Sequence, residues 1–206
     1  MPRVHKEILT KEQVGLLPLI KKFNKNFGLV GGTAIAFYIG HRKSIDFDLF
    51  SLRSFNNYNI KRIILRNLKI DKIFVNKLDE FTILVNGVRM TFFRYPFKIE
   101  FKENLNNIIK MPDLLTLSAM KAYALGMRAK WKDYVDLYFV MKKYAGAVKI
   151  INEANKIFCS EFNEKIFRAQ LSYFKDIDYS EEIIYTDGFK VDDKIIKKEL
   201  IDISLK

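Results

Sequence analysis

The amino-acid sequence predicts an α+β protein, with a β-sheet and flanking helices in the first half and a mostly helical second half. Short apolar runs bounded by glycine or turn residues recur up to residue 94, a pattern typical of strands. Asn86-Gly87 separates two of these runs and strongly indicates a two-residue β-hairpin. Beyond Pro96 the apolar residues follow the helical period instead, which indicates a change of architecture.

The first half begins with apolar positions at helical spacing among lysines, and a short buried strand follows. That strand ends at Gly31-Gly32, and the next segment is expected to be a helix with Thr33 near its start and Gly40 beyond its end. The predicted elements are helices at 6–25, 33–39 and 58–67, and strands at 27–30, 45–51, 71–77, 81–86 and 88–94.

In the second half, Pro112-Asp113 opens a long run with the helical period, which we interpret as a helix over 114–144. Gly126 is the position at which this helix could break, which would change the angles between its side chains but not their proximity. Further helices are predicted at 147–158, 161–173 and 192–203. We place a first domain at 1–108 and a helical C-terminal domain at 109–206. Because no low-complexity linker separates them, the two parts are expected to pack together.

The composition narrows the class of protein. A hydrophobic content of 49% over 206 residues excludes a disordered chain. The single cysteine, Cys159, excludes an intrachain disulfide and a cysteine-rich metal site, and we expect it in the core of a helix. No charged-then-apolar leader opens the sequence and no apolar stretch approaches a membrane span, so we expect a cytoplasmic protein without a membrane partner.

The chain is strongly basic. Lys and Arg number 36 against 24 Asp and Glu, which gives a formal charge of +12. Such an excess favours polyanionic partners such as nucleic acid or nucleotides. General solubility of a lysine-rich chain is the alternative, because the basic residues are spread along the sequence. Composition leaves both interpretations open.

Asp46 and Asp48 lie within the apolar run 45–50. Side chains of a strand alternate between faces, so both carboxylates are expected on one face. Two adjacent carboxylates repel each other unless a cation lies between them, and Mg²⁺ prefers such oxygen ligands. Gly31-Gly32 would let the backbone approach a phosphate closely at the start of the following helix. The combination predicts a site for a divalent ion and a phosphorylated substrate.

These motifs resemble a known family. The segment LVGGTAIAFYIGHRKSIDFDLFS resembles the signature of the DNA polymerase β-like nucleotidyltransferase superfamily, and within it the AbiEii/AbiGii-type toxin nucleotidyltransferases. MPDLLTLSAMKAYALGMRAKWKDYVDLYFV and DIDYSEEIIYTDGF are similar to later parts of that group. The resemblance implies a nucleotidyltransferase-fold mixed sheet with flanking helices, followed by a helical domain. It also implies transfer of a nucleoside monophosphate from an NTP to an acceptor.

The resemblance assigns roles to the first motif. Asp46 and Asp48 match the family's metal-binding catalytic aspartates, with Mg²⁺ or Mn²⁺ as the expected ion. Gly31 and Gly32 match its glycine pair, and Thr33 follows them in the nucleotide-binding segment. The expected partners are an NTP, an RNA acceptor with the tRNA 3′ end favoured, and a cognate antitoxin.

The second motif carries basic residues that could bind the triphosphate. Lys121, Arg128 and Lys132 match family positions, and on a continuous helix they would form a basic stripe with Asp136 within about 80 degrees of arc. Asp133 and Asp136 would hold these cations in place. A solvent-exposed face without a ligand is the alternative interpretation. The matched residues are Lys121, Arg128, Lys132, Asp133 and Asp136.

One departure from the superfamily concerns a third carboxylate, which many members carry on a later strand. The corresponding run here, 88–94, contains no acid, and Glu80 and Glu100 are the nearest candidates in sequence. This leaves two further hypotheses open: an inactive nucleotide- or RNA-binding module, and an enzyme that nucleotidylates protein. His41 is expected in a solvated or phosphate-contacting turn, and Phe92, Phe93 and Tyr95 are candidates to line a nucleotide pocket.

Overall fold

The computed structural model describes residues 5–206, so the first four residues of the predicted first domain lie outside the described part of the chain. Within that part, seven strands form one mixed sheet and eight α-helices surround it. The α+β class and the mixed sheet predicted from the sequence are therefore confirmed. The strands are β1 Gly28–Val30, β2 Asp46–Ser51, β3 Lys72–Lys77, β4 Glu80–Val85, β5 Val88–Arg94, β6 Glu103–Leu105 and β7 Ile109–Met111.

The helices follow the predicted order with one important difference. The run predicted as a single helix is divided into two, because Gly126 caps the first and residues up to Lys130 are not helical. Lys130 has extended backbone and forms a β-bridge with Asp178, which ends any continuation of the helix. The helices are α1 Lys11–Lys21, α2 Gly31–Ile39, α3 Asn57–Leu65, α4 Leu114–Leu125, α5 Trp131–Lys143, α6 Ala147–Phe158, α7 Glu164–Ser172 and α8 Asp193–Ser204.

The sheet has the strand order β3-β4-β5-β2-β1-β7-β6. β2 is parallel to β5 and antiparallel to β1, while β7 is parallel to β1. β6 and β7 were not predicted, because each has only three residues. Asn106 and Asn107 both adopt positive φ between these strands, so this Asn-Asn pair was the available signal for the turn.

Helix α1 shows how local sequence sets an element boundary. The predicted helix 6–25 is a 3-10 turn, Lys6–Ile8, followed by α1 from Lys11. The Thr10 side chain accepts a hydrogen bond from the Gln13 amide, and the Gln13 side-chain oxygen accepts one from the Thr10 amide. This reciprocal capping satisfies two free amides and begins the helix at Lys11.

One continuous apolar core extends through both halves of the chain. Helix α2 contacts β2 on one side and α4 and α5 on the other, so it joins the sheet to the second half. The division at residue 108 remains a prediction, although β7 lies beyond it and belongs to the same sheet. Cys159 was predicted to be a core residue, but it is exposed at the end of α6.

Candidate active site

Asp46 and Asp48 lie on β2 in the middle of the sheet. The strand alternates between partly exposed and buried residues, so both carboxylates are on one face and Phe47 and Leu49 are on the core face. Residues two apart in a strand are about 6.6 Å apart along it, which is close enough for two carboxylates to share a cation. The register aligns Asp46 with Arg89, and Asp48 with Thr91 of β5.

Neither aspartate side chain is directly paired with another side chain in the described part of the chain. Within the described residues, no hydrogen bond or ion pair shorter than 4.0 Å reaches either side chain, although hydrogen bonds satisfy most other buried polar groups. Burial raises the pKa of Asp48, and the neighbouring Asp46 raises it further. Burial also raises the pKa of Asp46, against the opposing effect of Lys132. Two carboxylates in this state favour a bound cation.

The glycine pair makes room for this arrangement. Gly31 has φ +73°, and a Cβ atom there would lie 2.2 Å from Asp48 Oδ2. A Cβ atom on Gly32 would lie 2.4 Å from Arg42 Nη2. Both residues open α2, so the positive end of the helix faces the Asp48 carboxylate. The pair was predicted to make room for a phosphate, and the structure shows that it makes room for two side chains of the chain itself.

Thr33 ties the start of α2 to the segment before β2. Its buried Oγ1 lies 2.8 Å from Ser44 Oγ and also contacts the backbone carbonyl oxygen of Asp46. The hydroxyl is therefore engaged inside the protein, and a phosphate contact by Thr33 would have to use its backbone amide. In the structure, the hydrogen bond from the Thr33 hydroxyl holds the backbone of Asp46 in place.

Behind Asp48 lies a buried network of charges, which we call the inner ion cluster and define as Arg42, Lys121, Arg128, Asp133 and Asp136. Lys121 Nζ lies 2.7 Å from Asp133 Oδ1 and 3.1 Å from Asp136 Oδ2. Arg42 Nε lies 2.6 Å from Asp136 Oδ1. Arg128 Nε lies 3.0 Å from Asp133 Oδ2, and its side chain is 51% exposed.

The inner ion cluster corrects the predicted basic stripe. Lys121 lies on α4 and Asp133 on α5, so the pairing follows from the turn at Gly126 rather than from one helical face. Lys121 is only 5% exposed, so it does not face an open cleft. Burial alone would raise the pKa of Asp136, but Arg42 and Lys121 outweigh it and hold the pKa well below the usual range. Asp136 is therefore a buried, ionised carboxylate.

His41 is part of the same network. Its Nε2 lies 2.8 Å from Asp136 Oδ1, and its ring is fully buried against Phe139. Burial lowers the pKa of His41, which favours the neutral ring donating from Nε2. The expected solvated turn is therefore wrong for His41 and for Arg42, since both are buried and bound to Asp136.

The charge of Lys132 acts on Asp46, but Lys132 is paired with a residue from the C-terminal region. Its Nζ contacts Glu181 Oε2, and Lys130 Nζ lies 2.6 Å from Glu181 Oε1. The segment that carries Glu181 is held by backbone hydrogen bonds to both sides of the site, from Lys43 to Ile184 at 2.8 Å and from Asp178 to Ala129 at 2.7 Å. Sequence reasoning noted this segment but did not identify Glu181.

The chain is 30% identical over 185 residues to the uncharacterized protein aq_aa25 of Aquifex aeolicus (strain VF5), with 87% of this chain and 88% of that protein covered. The chain belongs to the family of aq_aa25. No family model matches the chain.

Two solved structures share the fold. A candidate nucleotidyltransferase from H. pylori superposes with a TM-score of 0.63 at 15% identity, covering 94% of this chain and 92% of that one. The nucleotidyltransferase toxin MenT4 from Mycobacterium tuberculosis H37Rv superposes with a TM-score of 0.58 at 10% identity, covering 94% of this chain and 81% of that one. This member of the aq_aa25 family therefore has a nucleotidyltransferase fold.

The site of this aq_aa25 relative has two adjacent carboxylates, Asp46 and Asp48. Among residues 5–206, no group of three or more His, Cys, Asp or Glu side chains is arranged to hold an ion. Thr91 occupies the position beside Asp48 on β5, where a third carboxylate would adjoin the pair. Glu80 is aligned with Phe93, which is aligned with Phe50, so it is two strands away, or about 10 Å across the sheet. Glu100 is 68% exposed and pairs with Lys102.

The aromatic candidates divide between the two faces of the sheet. Phe92 is fully buried on the core face, where it contacts Phe23, so it does not line a nucleotide pocket. Phe93 and Tyr95 are partly exposed and lie 5.3 and 5.2 Å from the Phe50 ring. Phe50 follows Asp48 on the same face, so an aromatic patch of Phe50, Phe93 and Tyr95 adjoins the aspartates.

Proposed function

We propose that the protein is a nucleotidyltransferase that moves a nucleoside monophosphate from an NTP to an acceptor, with the tRNA 3′ end as the favoured acceptor. The observation that carries this proposal is that Asp46 and Asp48, neither of them directly paired with another described side chain, lie at the start of α2 on a nucleotidyltransferase fold. In this reaction an acceptor hydroxyl forms a bond to the α-phosphorus, the bond to the β-phosphate oxygen breaks, and pyrophosphate leaves.

The carboxylates of Asp46 and Asp48 fit a hard divalent cation such as Mg²⁺ or Mn²⁺. Neither has a side-chain partner among residues 5–206, and the negative charge of Asp46 raises the pKa of Asp48. Such an ion supplies charge neutralisation at the reacting phosphate. Asp46 and Asp48 would hold the ion, and phosphate oxygens and water would complete its coordination. The absence of an acid at Thr91 indicates that the acceptor hydroxyl loses its proton to water or to a substrate phosphate oxygen.

The cations beside the pair are suited to a triphosphate. Arg128 is half exposed and its positive charge acts on Asp48, while the charge of Lys132 acts on Asp46. We propose that Arg128 and Lys132 contact the phosphates and stabilise the leaving pyrophosphate. Lys121 is buried in the inner ion cluster, where its ion pairs hold Asp133 and Asp136 in place. The amides of Gly31, Gly32 and Thr33 open α2 and can donate to the same anion.

A toxin of a toxin–antitoxin pair is the biological role we favour. The support is the resemblance of three sequence segments to AbiEii-type toxins and the shared fold with a nucleotidyltransferase toxin. Expression of the wild-type chain in a bacterial host should arrest growth, and expression of Asp48→Asn should not. Equal growth arrest by both proteins would contradict a catalytic toxin.

Transfer of label tests the chemistry. The protein is incubated with each α-labelled NTP, Mg²⁺ and total tRNA, and label is followed on RNA and on protein. We expect labelled tRNA with the wild type, a loss of about 10³-fold or more with Asp48→Asn, and full activity with the exposed control Asp202→Asn.

Two other outcomes of that assay identify the alternatives. Label found on protein and not on RNA would establish a protein nucleotidylating enzyme. NTP or RNA binding without any transfer would indicate an inactive binding module, for which the missing third carboxylate is the favouring observation. Within the described residues, none of the helices combines the length and the apolar composition that a bilayer span requires.

A further inference from the structure

A cleft of about 740 Å³ lies at the carboxyl end of β2, between the end of α1 and the start of α3. It adjoins a second cleft of about 290 Å³ beside the turn between β6 and β7. Asn24, Lys25 and Lys110 line both, so the two form one groove. We call it the lysine–asparagine groove.

The groove is lined by cations that have no acidic partner. Lys22, Lys25, Arg53 and Lys110 line it, and none of them forms an ion pair with a described residue. The one acid that lines it, Glu100, faces Lys102 at 3.0 Å. A concentration of unpaired positive charge in a concave surface attracts a polyanion.

Neutral donors and acceptors accompany the cations. The side-chain amides of Asn24, Asn59 and Asn107 line the groove and make no hydrogen bond with a described residue. An amide offers both a donor and an acceptor, which matches the edges of exposed bases. Proteins that recognise single strands typically combine cations that bind the phosphates with polar groups that can hydrogen-bond the exposed bases.

The groove lies around the end of β2 and reaches both faces of the sheet. Ser51, three residues beyond Asp48 or about 10 Å along the strand, lines it on the core face, where Phe23 and Phe27 also line it. Phe101, which also lines it, lies against Gly28 on the face that carries Asp48. The aromatic patch Phe50, Phe93 and Tyr95 lies between. About three stacked nucleotides span this distance at about 3.4 Å each.

We infer that the lysine–asparagine groove binds a single-stranded segment of the acceptor RNA and directs its end across the aromatic patch to Asp48. The inference rests on the proposed function, because it names the acceptor's binding surface. The groove has the size of a pocket for one small ligand, so it takes about one or two nucleotides of a single strand at a time and not a duplex.

Binding of a short fluorescein-labelled single-stranded RNA, followed by anisotropy between about 50 and 200 mM salt, tests this inference. The groove variant is Lys22→Gln, Lys25→Gln and Lys110→Gln. The control removes the same charge from exposed lysines of α7 and α8: Lys165→Gln, Lys194→Gln and Lys198→Gln. All six lysines are exposed, so both proteins should keep the wild-type melting temperature within about 2 °C.

We expect the groove variant to lose at least about tenfold in affinity at low salt and to lower the salt slope by about 0.7 to 1.4, about 0.7 for each of the one or two phosphates in the groove. The control should lose less than about threefold, and magnesium–ATP affinity should be unchanged in both. Equal losses in the two variants, or duplex RNA bound as tightly through the same lysines, would overturn the inference. If RNA binds in the groove but no transfer occurs, the result counts against the proposed function only. If the groove variant keeps both its RNA affinity and its transfer activity, the result counts against the groove only.

Discussion

The inner ion cluster and the lysine–asparagine groove use the same residue types in opposite ways. In the cluster, Arg42 and Lys121 are buried and each contacts a fully buried aspartate at 3.1 Å or less. In the groove, Lys25 and Lys110 are exposed and have no acidic partner among the described residues. A buried charge without a partner costs several kcal/mol, whereas an exposed one costs little. The formal charge of +12 therefore marks a binding surface only where the cations remain unpaired.

The comparison predicts its largest effect at Asp136. Asp136→Asn leaves Arg42 and Lys121 buried with an incomplete set of anions, and should lower the free energy of unfolding by about 3–5 kcal/mol. Chemical denaturation at neutral pH measures the loss, and the exposed Asp202→Asn is the control. A loss below about 1 kcal/mol would show that the cluster is not a buried network.

The stability lost in Asp136→Asn should also depend on pH. The pKa of Asp136 is held well below its usual value, so its contribution is present above the ordinary aspartate pKa of about 3.9 and is lost as pH falls through the folded pKa. The difference in stability between wild type and Asp136→Asn should therefore shrink as the pH is lowered below about 4. A difference that stays constant down to pH 2 would contradict this assignment.

A smaller loss is expected at Gly31, where Gly87 provides a matched control. Both residues have φ +73°, but a Cβ atom on Gly31 meets Asp48, whereas one on Gly87 has no atom within 4 Å. Each alanine variant should lose about 1–2 kcal/mol through backbone strain. Only Gly31→Ala should lose additional stability and nucleotidyl transfer, since it displaces the Asp48 carboxylate. Normal transfer by Gly31→Ala would show that the position of Asp48 does not matter for activity.

Asp48→Asn should change stability in the opposite direction. Burial and Asp46 raise the pKa of Asp48, so the ionised form destabilises the fold increasingly as pH rises through the window between its unfolded and folded pKa values. Without a divalent ion the variant should be more stable than wild type at neutral pH, with no gain at pH 2. Mn²⁺ should raise the melting temperature of wild type and not of the variant. A stabilisation of both by Mn²⁺ would place the ion elsewhere.

The smallest change in stability is expected at Arg128, which belongs to the cluster but is half exposed. Arg128→Gln should alter the free energy of unfolding by less than about 1 kcal/mol. Transfer should nevertheless fall tenfold to thousandfold, because a cation beside Asp48 can stabilise the leaving pyrophosphate. Arg168→Gln, which removes an arginine–carboxylate pair with Glu164 on α7, away from the site, is the control. Unchanged transfer would make Arg128 a purely structural residue.

The sequence by itself determined the features that depend on local geometry. The alternation of Asp46 and Asp48 on one face follows from the two-residue period of a strand, and the structure has them so. The break between β1 and α2 follows from Gly31, whose φ of +73° is a conformation that residues with a Cβ rarely adopt. These patterns involve neighbours in the chain, so no distant contact was needed to recognise them.

Only the tertiary structure decided what surrounds those residues. Arg42 and Asp136 are 94 positions apart, and Lys132 and Glu181 are 49 apart, so no local pattern reports their pairing. The predicted helix over 114–144 breaks at Gly126, where the sequence allowed a break, but the β-bridge from Lys130 to Asp178 that completes the break is a distant contact. A lysine has the same local pattern whether it is buried against an aspartate or free in a groove. Its burial and its partner depend on which distant elements pack against it, and these decide whether its charge stabilises the fold or remains available to a ligand.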